Sequence, residues 1–355
     1  MRGCKTALAQ FLLLPLFPTP PSATHTQNRM PNNNYPDPFI VNPNGEHTHT
    51  LILLHGRGDT GSAFGAGVYI TRTSSGFSLA SLYPGMKFIF PTTKQRYTTG
   101  GAAAGYWWRE WFDTTSLIYP EEESERQVEG LREAVAYVNE LIEAEVANGI
   151  PRERIIIGGL SQGCATSIHV LLAQNERMGG FVGMSGWMPF ASRVREICGL
   201  SPGFGISAIL DSEEPVEVKN DESDDEVVPE EGDFPEPPPE KRKEAMMFIR
   251  EVLLGRSPPG DDEDELEVLK TPVFLGHGDE GLLYPSDSSR ERRLHESDEV
   301  VDYKLGRNIY TTLRHGLGMD VTWKRYRNFD HWYKEPDEID DIVDFWGEKC
   351  DLFPE

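Results

Sequence analysis

The sequence of 355 residues has few cysteines, no long hydrophobic run and too few basic residues to balance its acids. Its four cysteines are scattered and form neither a C-x-x-C pair nor a Cys/His group with metal-ligand spacing. We therefore expect neither a disulfide framework nor a zinc site. The 34 lysines and arginines face 58 acids, for a formal net charge of -24. This balance disfavours a nucleic-acid partner, because such partners require clustered basic residues against the phosphates.

The most apolar stretch near the N-terminus covers residues 7–17 and is too short to span a bilayer. Basic residues precede it and small residues follow it, as in a signal peptide, but Gln10 and Pro15 interrupt it. We expect residues 1–29 to be a disordered extension of a cytoplasmic protein. The alternative is a secreted protein, with residues 1–23 acting as a signal peptide.

From residue 48 onward, short apolar runs alternate with amphipathic segments. This alternation predicts an α/β fold, with a mostly parallel sheet covered by helices on both faces, in a single domain over residues 30–355. The expected strands are 50–54, 86–90, 154–158, 180–185, 271–276 and 321–326. The expected helices are 125–148, 164–172, 304–317 and 336–348.

Residues 191–270 interrupt this alternation with proline and acidic residues. Within them, residues 211–240 hold 14 acids against one lysine, and residues 261–267 hold six acids and no base. High charge with little apolar periodicity predicts a largely disordered insertion. Apolar residues at 244–254 predict one helix inside it. That helix is either a lid over a binding site or part of an exposed acidic tether.

The sequence Gly159-Leu160-Ser161-Gln162-Gly163 is a G-x-S-x-G pattern between an apolar run and a helical segment. In that context it predicts a nucleophile elbow, a tight strand-to-helix turn that holds Ser161 in a strained conformation with its hydroxyl exposed. The helix start adds free backbone N–H groups and a positive dipole end, which favour negative charge on a substrate oxygen.

A serine nucleophile needs a histidine base, and the histidine needs a carboxylate to orient it. On doubly wound hydrolase folds these residues follow in the order Ser, Asp or Glu, His. His331 fits the base, because it lies between the last expected strand and the last helix, at the same sheet edge as Ser161. Glycines flank Arg57 after the first buried strand, so its backbone N–H and that of Gln162 are expected to form an oxyanion hole.

Together these segments resemble the acyl-protein thioesterase and phospholipase/carboxylesterase group of α/β-hydrolases. The resemblance follows family order over residues 48–190 and 271–346, and its blocks are 54–61, 111–113, 148–163, 185–189, 277–280 and His331. It implies a serine hydrolase without metal or cofactor that cleaves acyl thioesters on S-palmitoylated proteins. The alternative substrates are lysophospholipids or small carboxylic esters. Transient contact with a membrane surface is also expected.

The sequence departs from the family at the catalytic acid. In the family two residues separate a His-Gly pair from this aspartate, but here residues 281–297 follow His277-Gly278-Asp279-Glu280 instead. Removing residues 281–297 would join Asp298 to residues 277–280 and restore the family pattern, so we expect Asp298 to be the acid. Asp279, at the strand end, is the alternative. If the insertion displaces the acid, the chain would instead be a catalytically impaired protein that binds acylated partners.

Residues 106–112 contain five aromatic residues, which is many for a connecting loop. Together with Trp187 and Trp332, they are expected either to line an acyl groove or to belong to the core. The resemblance favours Trp111 as a substrate-binding residue, and Trp187 is the second candidate.

Overall fold

A central sheet of seven strands organises the fold. The computed structural model describes residues 35–98, 105–117, 119–201, 237–255, 266–279, 301–329 and 331–355. The strands are β1 (Phe39–Val41), β2 (His49–Leu54), β3 (Met86–Phe90), β4 (Gln95–Tyr97), β5 (Trp107–Arg109), β6 (Ile155–Leu160), β7 (Gly180–Met184), β8 (Val273–Gly278) and β9 (Val321–Tyr326). The order across the central sheet is β1-β3-β2-β6-β7-β8-β9, and β4 and β5 form a separate two-stranded sheet.

The central sheet is mostly parallel, as the sequence predicts. Strand β1 pairs with β3 in antiparallel register, and the neighbours from β3 to β9 pair in parallel. In β2, Ile52 and Leu54 face one hydrophobic core, and Leu51 and Leu53 face the other. Continuous apolar strands are typical of a sheet whose two faces are both covered.

Helices cover both faces of the sheet. They are α1 (Gly61–Ile70), α2 (Leu79–Leu82), α3 (Gln127–Ala147), α4 (Gln162–Leu172), α5 (Ala191–Ile197), α6 (Pro239–Met247), α7 (Tyr303–Thr311) and α8 (Asp337–Cys350). Short 3-10 turns lie at Ser124–Arg126, Arg152–Arg154 and Glu267–Lys270, and π-helical turns follow α6 at Phe248–Leu253 and α7 at Thr312–Gly316. Helices α3 and α4 pack on one face, and α1 and α8 pack on the other.

The helix predicted at residues 244–254 is present, but neither interpretation of it was correct. It is formed by α6 and the π-helical turn after it, and its apolar side chains are buried in the core: Ala245, Met246, Ile249 and Leu253. Arg250 donates to the carbonyl oxygens of Leu172 and Gln174 at the C-terminal end of α4. This segment is therefore a core element at the end of α4 remote from Ser161, and is neither a lid nor an exposed tether.

Several sequence expectations fall outside the described residues. These are the N-terminal extension 1–29, most of the acid-rich stretches 211–240 and 261–267, the insertion 281–297, and Asp298. Among the helices that the structure describes, none combines the length and the apolar character that crossing a membrane would require.

Candidate active site

The turn between β6 and α4 carries Ser161 in a strained conformation. Its φ of 56° and ψ of -123° are unfavourable for a residue with a Cβ atom. The chain packs tightly around it: a Cβ on Gly159 would lie 2.6 Å from the carbonyl carbon of Gly163, and one on Gly163 would lie 2.2 Å from the oxygen of Leu54. The local structure is therefore the strand, tight turn and helix that the G-x-S-x-G pattern predicts.

His331 lies in the loop between β9 and α8, and its side chain reaches the serine. The Nε2 atom of His331 is 2.8 Å from the Oγ atom of Ser161. Burial, with a smaller contribution from the nearby His277, lowers the pKa of His331 to about 4. The imidazole is therefore neutral at pH 7. With its one proton on Nδ1, its Nε2 atom can accept the proton of the serine hydroxyl.

The Nδ1 atom of His331 has no hydrogen-bond partner within the residues that the structure describes. Asp279, which is among those residues, makes no hydrogen bond to it, and its carboxylate oxygens accept from other groups. Its Oδ2 atom accepts from Nε of Arg325 at 3.1 Å, and its Oδ1 atom accepts from the backbone N–H of Asn328 at 2.6 Å. Asp279 thus connects the end of β8 to the end of β9, while Asp298 lies outside the described residues.

The loop after β2 lies beside Ser161. A Cβ on Gly56 would be 3.4 Å from the Cβ of Ser161. Arg57, the expected oxyanion residue, is the next residue in the chain. Gln162, the other expected donor, begins α4. The first four N–H groups of a helix have no partner within the helix, so this end of α4 can donate hydrogen bonds to an anionic oxygen.

Thr93 and Trp111 hold the loop after β2 in place. The backbone N–H of Thr93 donates to Nε2 of His55 at 3.1 Å, which leaves the ring proton on Nδ1 to donate to the oxygen of Gly56 at 2.7 Å. The indole N–H of Trp111 donates to the oxygen of His55 at 2.8 Å. Burial lowers the pKa of His55 to about 4, so the ring stays neutral in this arrangement.

Sequence reasoning missed the role of the Gln162 side chain. Its Oε1 atom accepts from the backbone N–H of Trp111 at 2.9 Å, and its Nε2 atom donates to the oxygen of Phe112 at 2.8 Å and to Oγ1 of Thr114 at 3.0 Å. The side chain therefore fixes α4 to residues 111–114. The only indication in the sequence was an amide side chain directly after the serine.

Sequence reasoning also missed Ser185, at the end of β7. Its φ is 45°, its backbone N–H donates to the oxygen of Gly276 at 2.8 Å, and its hydroxyl donates to the oxygen of Trp332 at 2.9 Å. Ser185 thereby anchors the residue that directly follows His331. A strained, buried serine of this kind ties the ends of β7 and β8 to the histidine loop.

The tryptophans expected near the substrate divide into buried and exposed groups. Trp111 and Trp187 are fully buried in the core, where Trp187 lies edge-on to Phe112. Trp332 is 42% exposed. Exposed aromatic side chains also stand on and next to the β4–β5 sheet: Tyr97, Tyr106, Trp107 and Trp108. Trp111 supports the loop after β2 through its indole N–H, so it contributes to the site from the core.

The sequence is similar to a known family and to known proteins. The sequence model of the Phospholipase/Carboxylesterase family matches residues 35–208. An acyl-protein thioesterase 1 of Schizosaccharomyces pombe is 36% identical over 154 residues, which are 43% of this chain and 62% of that protein. An acyl-protein thioesterase 1 of Gibberella zeae is 24% identical over 318 residues, which are 87% of this chain and 93% of that protein.

Solved structures share the fold. The acyl-protein thioesterase 2 of Zea mays is 20% identical, with a TM-score of 0.52 over 89% of this chain and all of that one. Arabidopsis thaliana SOBER1 is 19% identical, with a TM-score of 0.52 over 85% of this chain and 99% of that one.

The sheet order, the turn at Ser161 and the structural matches define an α/β-hydrolase fold. Over residues 35–208 the chain is similar to the phospholipase/carboxylesterase family, and its curated relatives are named acyl-protein thioesterase 1. In the alignments with the first three curated relatives, the chain spans about 60% of their length.

Proposed function

We propose that this chain is a serine hydrolase that cleaves acyl thioesters on S-acylated proteins. The observation that carries the proposal is the 2.8 Å distance between Oγ of Ser161 and Nε2 of His331, at a strained strand-to-helix turn. A neutral imidazole at hydrogen-bond distance from a serine hydroxyl is the geometry that general-base catalysis requires. The relatives named acyl-protein thioesterase support the thioester as the substrate.

In the proposed reaction, Ser161 attacks the acyl carbonyl carbon while Nε2 of His331 takes the hydroxyl proton. The N–H groups of Arg57 and Gln162 stabilise the tetrahedral oxyanion. The carbon–sulfur bond then breaks, and the leaving thiolate receives the proton from His331. Water, activated by the same histidine, hydrolyses the acyl-enzyme to release the carboxylic acid and restore the serine.

Asp298 is the proposed acid that orients His331. One observation supports it over Asp279: Nδ1 of His331 has no partner among the described residues, which include Asp279. A carboxylate at Nδ1 would stabilise the imidazolium formed during the reaction and would raise the lowered pKa of His331.

The proposed location is the cytoplasm. The three cysteines that the structure describes, Cys164, Cys198 and Cys350, are free. Secreted proteins usually pair their cysteines, whereas cytoplasmic thiols stay reduced. Fluorescence microscopy of the full chain with a C-terminal tag tests this location, and recovery of the tagged chain from the medium would contradict it.

The test of the function is hydrolysis of a long-acyl thioester peptide and of a short-acyl ester by the full chain. We expect Ser161→Ala to lower kcat by at least about 10³-fold on both substrates, because the nucleophile is lost. Ser167→Ala is the matched control: Ser167 is a buried serine on the same helix whose hydroxyl donates to the oxygen of Cys164. This control should keep kcat within about threefold of the wild type.

The ratio of kcat/KM on the two substrates distinguishes a thioesterase from a small-ester carboxylesterase. A higher kcat/KM on the long-acyl thioester is expected from a thioesterase. A higher kcat/KM on the short ester would instead identify a small-ester carboxylesterase. A wild-type chain with no turnover that depends on Ser161 would overturn the hydrolase proposal and favour a protein that only binds acylated partners.

A further inference from the structure

The Arg57 side chain forms a buried ion pair with Glu110 beside the candidate site. The Nε atom of Arg57 lies 3.1 Å from Oε2 of Glu110, and the two side chains are 16% and 0% exposed. The second oxygen of Glu110, Oε1, accepts from Oγ1 of Thr98 at 2.8 Å. Oε2 makes the ion pair but no hydrogen bond. Glu110 has no solvent exposure, so it is not available to touch a substrate.

The ion pair is one of three connections between residues 109–111 and the loop after β2. The backbone N–H of Gly58 donates to the oxygen of Arg109 at 2.7 Å, and the indole N–H of Trp111 donates to the oxygen of His55 at 2.8 Å. Gly58 has a φ of 84°, and a Cβ there would lie 3.3 Å from the Trp108 ring. The loop is thus held before, at and after residue 57.

Residues 110–112 also hold the second expected oxyanion donor. The backbone N–H of Trp111 and the oxygen of Phe112 bond the side chain of Gln162, which begins α4. The backbone oxygen of Glu110 accepts in turn from Oγ1 of Thr93 at 2.9 Å and from Nε of Arg96 at 3.2 Å. One short, well-anchored segment therefore connects to both residues whose N–H groups are proposed to bind the oxyanion.

Net stability does not account for a buried pair of this kind. The cost of taking both charges out of water largely offsets their attraction, and apolar residues of similar volume are often as stable. What such a pair adds is a restraint on position, because two buried opposite charges cannot separate without leaving each of them unpaired. The position of the backbone at residue 57 is the property that this pair determines.

We infer that Glu110 is a positioning residue, which acts through Arg57 to place the backbone N–H of residue 57 for the oxyanion. The inference rests on the proposed function and adds a residue to it. The hydrogen bond from this N–H to the acyl oxygen is weak in the ground state and strong in the transition state, where the oxygen becomes negatively charged. Loss of the ion pair should consequently lower kcat more than it changes KM.

The test measures kcat and KM on the thioester peptide for Glu110→Gln, Arg57→Met and the double variant. Glu110→Gln keeps the size of the side chain and removes its charge. We expect it to lower kcat about 10-fold, less than the full loss of an oxyanion donor, with KM within about twofold. In the Arg57→Met background, Glu110→Gln should change kcat by less than about twofold, because Glu110 acts through Arg57.

The matched control is Glu145→Gln. Glu145 is a buried carboxylate that bonds Lys87 and Thr50 near the start of β2, at the opposite end of the strand from the site. Its substitution removes a buried charge pair of the same kind and should leave kcat within about twofold of the wild type. Thermal unfolding of each variant confirms that kcat is compared between folded proteins.

Two results would overturn the inference while leaving the proposed function intact. One is a Glu110→Gln variant with the kcat of the wild type, and the other is an equal loss of kcat in the wild-type and Arg57→Met backgrounds. A wild-type chain without turnover that depends on Ser161 would overturn the proposed function, and this inference with it.

Discussion

Glu338, on α8, has no solvent exposure, although it is a carboxyl group. Its Oε2 atom accepts from the backbone N–H of Lys334 at 2.9 Å, and its Oε1 atom has no hydrogen-bond partner among the described residues. The side chain packs against Gly276 of β8, where a Cβ would lie 2.0 Å from Oε1. Burial, with a smaller contribution from the charge of Asp341, raises the pKa of Glu338 to about 8.

This pKa predicts a pH-dependent stability. The folded chain keeps the proton of Glu338 up to about pH 8, whereas the unfolded chain releases it near the ordinary value of 4.5. The stabilising contribution is complete below the unfolded pKa and is lost as the pH rises towards the folded one. Glu338→Gln, which never ionises, should remove this loss, on the order of 4 kcal/mol in the free energy of unfolding at about pH 8.

Urea unfolding at several values between about pH 5 and about pH 8 checks this prediction. Glu348→Gln is the control, because Glu348 is an exposed carboxyl on the same helix. We expect this control to lose stability with pH as the wild type does. The prediction is wrong if Glu338→Gln shows the same pH dependence as the wild type.

At the scale of single residues, the sequence predicted those candidate site residues that a local sequence pattern or the order of strands and helices identifies. Ser161 lies in a five-residue pattern, and His331 was identified by its place after the last strand. The pairing of Arg57 with Glu110, and of Ser185 with Trp332, joins distant parts of the chain. Such contacts exist only once the sheet has formed, so no local pattern carried them.

At the scale of elements, Arg250 connects the segment after α6 to the C-terminal end of α4. Its guanidinium donates to the oxygens of Leu172 and Gln174, which are at the end of that helix and just beyond it. Carbonyl groups at a helix C-terminus have no partners within the helix, and a cation there also opposes the negative dipole end. Arg250 is 4% exposed, so water does not replace these bonds.

Arg250→Met should therefore lower the free energy of unfolding by about 2–3 kcal/mol, because it leaves buried carbonyl groups without donors. Urea unfolding measures this change. Arg193→Met is the control: Arg193 is exposed and pairs with Glu196 on α5, and its loss should cost less than about 1 kcal/mol. Equal effects of the two substitutions would show that Arg250 does not secure the end of α4.

The sequence predicted most of the central strands and the longest helix well, but it missed the three-residue strands and the ten-residue helix α1. Strands β3 and β9 have the expected bounds, and α3 lies within the expected 125–148. Strands β1, β4 and β5 were missed, because three residues are too few to show an alternation. The helix at 244–254 was predicted, but its burial was not. Its flanking sequence is acidic and rich in proline, and the residues it packs against, including the end of α4, are distant in the sequence.

At the scale of the whole molecule, the parallel sheet explains why the site could be predicted. The carboxyl ends of parallel strands meet at one edge, so the residues that follow them converge there. Gly56 follows β2, Ser161 follows β6, Ser185 follows β7 and His331 follows β9. The acid could not be fixed in the same way, because the course of residues 281–297 determines whether Asp298 or Asp279 faces the histidine.

The most direct test of the account is labelling of the full chain with a fluorophosphonate, with the adduct located by mass spectrometry. We expect a single adduct on Ser161. Asp298→Asn should slow labelling at least about 100-fold, because the histidine loses the group that orients it, while Asp279→Asn should slow it less than about 10-fold. A wild-type chain that gains no adduct on Ser161 would contradict the account, and the opposite order of the two aspartate variants would contradict its assignment of the acid.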